Sequence, residues 1–105
     1  MLIYNVTIKV DDGVADAWLQ WLLEEHIPDV MGTGCFNSYK VVRLLEIDDS
    51  EGPTYATQYH ADSKADYHRY IEMHAPLMRQ KSIDKWGERF IAFRSVMQVI
   101  EQKNK

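Results

Sequence analysis

Two histidines, His26 and His74, are the residues of this chain whose type and spacing could do chemistry. Each falls near the middle of an apolar helical face: His26 among Ala15, Leu19, Leu22, Leu23 and Val30, and His74 among Tyr67, Tyr70, Ile71, Leu77 and Met78. At roughly 100° per residue those apolar side chains belong against a core. Both imidazoles are therefore aimed where water is scarce. A neutral imidazole near its reference pKa can take or give a proton at neutral pH, which makes the pair the candidate acid and base. The competing reading is packing: each ring donates to a carbonyl or a tyrosine and does no chemistry.

Two helices and a sheet must hold these rings. Leu2, Tyr4, Val6, Ile8 and Val10 alternate with Ile3, Asn5, Thr7 and Lys9, the period of two that marks a strand. Asp11 or Asp12 then caps a first helix from Val14, which Pro28 ends or kinks, and Gly32 and Gly34 serve its exit turn. A long second strand is expected from Cys35 to Ile47, with an acidic turn over residues 48–53 leading into a third strand from Thr54 to Ala61. Ser63 and Asp66 open a second helix as in a capping box, and Pro76 must kink or restart it. A short helical turn from Ser82 to Glu88 and a last strand from Arg89 to Glu101 complete the order. That order is the α+β, ferredoxin-like β-α-β-β-α-β arrangement, an antiparallel four-stranded sheet with two helices on one face. Length predicts one domain over residues 1–105.

With both helices on one face, His26 and His74 point into one inter-layer space. Trp18, Leu22, Tyr59, Tyr67 and Tyr70 are expected to surround them as an apolar pocket with a few polar groups, the usual make-up of a ligand site. Arg94 shares a strand row with Phe90, Ala92, Val96 and Ile100, where an unpaired guanidinium is costly to bury, so it needs a partner or an anion. Arg79, with Arg43 and Arg89, belongs at element ends, as a clamp for a carboxylate or phosphate or as half of a salt bridge. Trp21 lies off the main face of its helix and is expected in a contact between helices or subunits. On the first strand Asn5 and Thr7 form a polar row opposite the apolar one, with Gln58 and His60 as neighbours.

Other chemistries lack support. A metal needs a third and preferably a fourth ligand, and neither His60 nor His68 converges on the pair, so no metal site is expected. No glycine-rich loop accompanies the arginines, so nucleotide binding has no positive support, and the cofactor is unknown from the sequence. Cys35, the lone cysteine, has no disulfide partner in the chain and reads as a small buried thiol. A net charge of −4 with scattered basic residues excludes a nucleic-acid footprint. No apolar run approaches the roughly 18 residues of a membrane span, and residues 1–5 lack the basic start of a signal peptide, so a cytoplasmic protein is expected. Both rows of the last strand are largely apolar, which a sheet facing water on its back does not explain, so a homodimer packed sheet to sheet is expected.

Several strings also resemble a known family: Tyr4-Asn5-Val6-Thr7, His26-Ile27-Pro28 through Thr33-Gly34-x-Phe36, Gln58-Tyr59, His74-Ala75-Pro76 with Arg79, and Arg89-Phe90-x-Ala92-Phe93-Arg94. They are similar to an uncharacterised bacterial family classed as a domain of unknown function, over nearly the whole chain. The resemblance implies the dimeric α/β-barrel fold, shared with antibiotic-biosynthesis monooxygenases, haem-degrading monooxygenases and muconolactone-isomerase-like enzymes. It implies no activity, and haem held by His26 or His74 rests on that fold analogy alone. Two functional readings remain: a pocket for a small apolar or aromatic ligand, with cofactor-independent oxygenation or isomerisation as its chemistry, or a structural or regulatory homodimer whose histidines are buried for packing.

Overall fold

The computed structural model describes residues 1–104. Strand β1 (Leu2–Val10) leads through a tight turn at Asp12–Val14 into helix α1 (Ala15–Trp21), a widened π turn (Leu22–His26) and helix α2 (Ile27–Met31). Strands β2 (Ser38–Arg43) and β3 (Thr54–Ala61) follow, then helices α3 (Lys64–Met73) and α4 (Ala75–Trp86), and finally β4 (Phe90–Gln98). The sheet is antiparallel in the order β2-β3-β1-β4, so β1 and β3 are central. This is the expected ferredoxin-like order, with each expected helix disturbed once at a proline. Among the described residues no helix is long and apolar enough to cross a membrane.

Pro28 lacks the N–H that would close an α-helical bond to Glu24, and its ring would crowd that carbonyl. The chain answers by widening: the Ile27 N–H donates to the Leu22 carbonyl, five residues back. Helical dihedrals persist from Trp21 through Gly32, so the first helix bends without ending. Pro76 does break the second helix, where His74 leaves helical geometry at φ −123°. Ser63 caps that helix by accepting from the Asp66 N–H at 3.2 Å, and Asp11 caps the turn before α1 by accepting from Gly13.

Register separates two faces of the sheet. Tyr4 pairs with Tyr59 and with Val96, Val6 with Thr57 and Arg94, and Ile8 with Tyr55 and Ala92, which puts these rows on the helix side. There Tyr4 and Tyr59 pack with Trp18, Leu22, Ile27, Val30, Phe36 and Tyr70 in the core. The opposite face carries Asn5, Thr7, Gln58 and His60, with the Asn5 amide donating to the Thr7 hydroxyl at 2.9 Å. It also carries Ile91, Phe93 and Met97, which are 59, 68 and 39 % exposed.

Three expected boundaries are corrected. The second strand spans Ser38–Arg43, not Cys35 to Ile47: Cys35 and Phe36 already sit in the core, and Glu46 at φ 58° ends any extension beyond Leu44. The segment expected as a separate turn from Ser82 is a continuous part of α4 up to Trp86. The last strand stops at Gln98.

The turn before β3 closes on the end of β1. The Val10 N–H donates to the Pro53 carbonyl at 3.0 Å, and the Asp12 N–H to the Glu51 carbonyl at 2.9 Å. Gly52 between them has φ +142°, and a Cβ there would lie 1.8 Å from the Val10 carbonyl oxygen. Gly34 has φ +75° with open space around it. Gly34→Ala is expected to cost roughly 1–2 kcal/mol of backbone strain, and Gly52→Ala more than about 3 kcal/mol because the turn must also move. Urea unfolding of the two variants checks the order.

Candidate functional site

A cavity opens between the helices and the sheet. Its floor is the helix-side row of β1 (Tyr4, Val6, Ile8) with Thr57 and Tyr59 of β3. The first helix supplies Trp18, Trp21, Leu22 and His26, α3 and α4 supply Tyr70, Met78, Arg79 and Ser82, and β4 supplies Phe90 and Arg94. The cavity volume is about 40 Å³, or about 520 Å³ counting all unfilled space out to its open mouth. The smaller figure holds roughly three ordered waters.

Leu22 and His26 stand at the two ends of the widened turn, and both reach the cavity. His26 lies against the face of Trp21, with ring centroids 4.8 Å apart, and Trp21 meets the edge of Trp86 on α4. Burial pushes the His26 pKa down from 6.5 to about 4. The Asp29 carboxylate opposes that shift, while Lys81 and Arg94 add to it. At neutral pH the ring is a neutral imidazole with a free acceptor.

The phenols make an aromatic wall. Tyr4 packs against Phe36, Tyr59, Tyr67 and Tyr70 with centroids 5.7–6.2 Å apart. Burial raises the pKa of Tyr59 and of Tyr70, in each case reinforced by neighbouring tyrosines. Arg79 and Arg94 pull Tyr70 the other way without reversing the shift. These hydroxyls stay protonated, so they are donors on an otherwise apolar surface.

Of the residues expected at a site, Trp18, Leu22, His26, Tyr59, Tyr70, Arg79 and Arg94 share the cavity. His74 and Tyr67 do not line it. Because Pro76 breaks the helix at His74, the period drawn through it is interrupted there, and the ring stacks on Tyr70, 6.2 Å away, one residue removed from the cavity. The expected convergence of two imidazoles is corrected to one. Tyr67 packs on Tyr4 instead. Arg94 is exposed rather than buried, since edge strand β4 is only partly covered by the helices. Arg79 sits inside α4, not at its end, and its guanidinium donates to the Tyr4 hydroxyl at 3.4 Å.

Trp21, Tyr4, Met78 and Ser82 line the cavity although the sequence pattern does not single them out for it. Trp21 does make the helix-to-helix contact its position suggests, through Trp86. It lies three residues after Trp18 in the same regular helix, roughly 60° around the axis from it, near enough to share the cavity. Among the described residues no three His, Cys, Asp or Glu side chains are grouped so as to hold a metal ion.

A family described as "Domain of unknown function (DUF4286)" matches residues 1–100. The chain belongs to that family. No curated protein sequence matches this DUF4286 chain. Among solved structures it is similar to a dimeric ferredoxin-like protein from an uncultured marine organism, at TM-score 0.74 and 12% identity over 100% of both chains. It is also similar to SnoaB from Streptomyces nogalater, a cofactor-independent oxygenase solved as a mutant, at TM-score 0.70 and 10% identity over 99% of this chain and 98% of that one. A third is a putative antibiotic biosynthesis monooxygenase from Deinococcus radiodurans, at TM-score 0.65 and 17% identity over 100% and 98%. At these identities the likeness is one of fold.

The His26 shift has a consequence for stability. Its folded pKa lies below its unfolded value, so the folded state resists a proton that the unfolded chain accepts between pH 6.5 and 4. Stability is therefore lost across that window as pH falls, by roughly 3–3.5 kcal/mol at most at 1.36 kcal/mol per unit. His26→Gln removes this component. Urea midpoints of wild type and variant at pH 7.5, 5.5 and 4 are expected to diverge in that sense.

Proposed function

We propose that this chain binds a small apolar or aromatic molecule in the cavity between its helices and sheet, and that it works as a homodimer joined through the opposite face of the sheet. The observation that carries the binding reading is the wall itself. Aromatic and aliphatic side chains from three strands and from the first helix, α3 and α4 surround a few inward polar groups, with His26 held neutral among them. The enclosed part of the cavity is narrow, and the open mouth is the way in for a ring.

The dimer reading rests on the far face, where Ile91, Phe93 and Met97 stand exposed in one row of β4. A patch of that kind marks an association surface, and two of the similar solved structures are described as dimeric ferredoxin-like proteins. Packing two such faces also encloses the polar row of Asn5 and Thr7, whose hydrogen bond would help set the register between copies.

If the site does chemistry, proton abstraction from a bound carbon acid would use His26 as acceptor, and its lowered pKa makes it a weak base until an anionic ligand nearby raises that pKa. Cofactor-independent oxygenation, the description given to SnoaB, and isomerisation both begin with such a step. The alternative, a structural or regulatory homodimer, is favoured by the small cavity volume and by the stacking of His26 on Trp21.

A thermal-shift screen of the purified protein against neutral and charged aromatic and aliphatic molecules separates the two. A ligand at 100 times its Kd stabilises by about 2.7 kcal/mol, expected here as a rise in Tm of more than about 5 °C that His26→Ala abolishes. A flat screen together with a strongly destabilised His26→Ala variant supports the structural reading. For the dimer, Phe93→Glu places like charges across the joined faces, and sedimentation velocity is expected to report a monomer that keeps its circular dichroism spectrum.

A further inference from the structure

The chain has five arginines, and three of them are paired with acids: Arg43 with Asp49 at 3.4 Å, Arg69 with Asp66 at 3.1 Å and Arg89 with Asp11 at 2.6 Å. Arg79 and Arg94 have no acidic partner among the described residues. These are the two that line the cavity, and they come to it from different elements, α4 and β4. No Asp or Glu lines the cavity with them, although the chain carries 16 acidic residues and a net charge of −4. The cavity wall thus carries two guanidinium groups and no carboxylate.

Each arginine is placed at the cavity by its position in the fold. The Tyr4 hydroxyl accepts from Arg79, and Tyr4 is fixed in turn by its packing on Phe36, Tyr59 and Tyr70. Arg94 stands opposite Val6 in the sheet register, and Val6 is part of the cavity floor. Two cations on one partly apolar wall repel each other. An oxyanion between them removes that repulsion and accepts the paired donors a guanidinium presents.

We propose that the ligand of this cavity is an anion: a small apolar or aromatic molecule whose oxyanion, a carboxylate or a phosphate ester, lies between Arg79 and Arg94 at the mouth. The inference rests on the small-molecule reading above and names its ligand class. The apolar end of the ligand meets Trp18, Leu22 and Val6, and the charged end stays near water, where its desolvation is incomplete and its cost small. The arrangement also serves proton abstraction at His26, because charge that develops on an oxygen beside the abstracted carbon faces the same two donors.

The test compares three probes of one shape, benzoate, benzamide and phenyl phosphate, by quenching of tryptophan fluorescence and by calorimetry. Benzoate or phenyl phosphate is expected to bind at least about tenfold more tightly than benzamide, the range of a charge-assisted pair. That advantage should shrink with added sodium chloride. Whichever oxyanion binds more tightly identifies the class. Arg79→Gln and Arg94→Gln are expected to reduce the advantage over benzamide to less than about threefold, and Arg94→Lys to retain part of it. Both side chains are exposed, so the variants should keep the wild-type melting temperature in the absence of probe, which the same samples report. Equal binding of benzoate, phenyl phosphate and benzamide overturns the anion proposal and leaves the binding reading standing. Absence of binding by all three overturns both.

Discussion

Pro28 is the constraint on which the site depends. It sits in a helix that cannot stop, because Ile27 and Val30 on either side of it are 1 and 0 % exposed and must reach the core. Ending the helix before Pro28 would surrender those contacts; keeping it regular would force the proline ring into the Glu24 carbonyl. The widened turn at Leu22–His26 satisfies both demands. Widened turns of this kind occur often at functional sites, and this one carries two cavity residues at its ends. The same sequence feature that breaks the helix's period thus supplies the imidazole that the cavity holds.

The second helix meets the corresponding problem differently. Pro76 has a neighbour, His74, that leaves helical geometry altogether, so α3 and α4 are separate pieces that need not share a face. Tyr70 and Met78 both reach the cavity from opposite sides of the break, and His74 between them does not. Two prolines in similar settings therefore give one imidazole inside and one outside. The difference lies in how each chain segment absorbs a missing N–H, by widening in one case and by stopping in the other.

How far the sequence discloses this follows from the range of the forces involved. The period of two in β1 and the capping signal at Ser63 are local, and both are seen where the residues place them. The order of elements and the central position of β1 and β3 follow from those local signals together with simple topology. The cavity residues Trp18, Leu22, Tyr59 and Tyr70 are legible because apolar periodicity points them inward. What is not legible depends on departures from period: the exclusion of His74 follows the break at Pro76. Arg94 reads as buried because its strand row is apolar, while its real exposure depends on how much of edge strand β4 the helices cover. That is a matter of tertiary packing, beyond the reach of any local pattern.

The alternation in β1 has an evolutionary consequence. Its even-numbered residues, Tyr4, Val6 and Ile8, face the cavity, and its odd-numbered ones, Asn5 and Thr7, face the far side of the sheet. A single strand thus writes two independent messages in interleaved letters. Substitution at an even position alters what the cavity accepts and leaves the far surface as it was, while substitution at an odd position does the reverse. Descendants of such a chain can vary the lining of the cavity without altering the far surface, and a scaffold with that freedom is well suited to being reused.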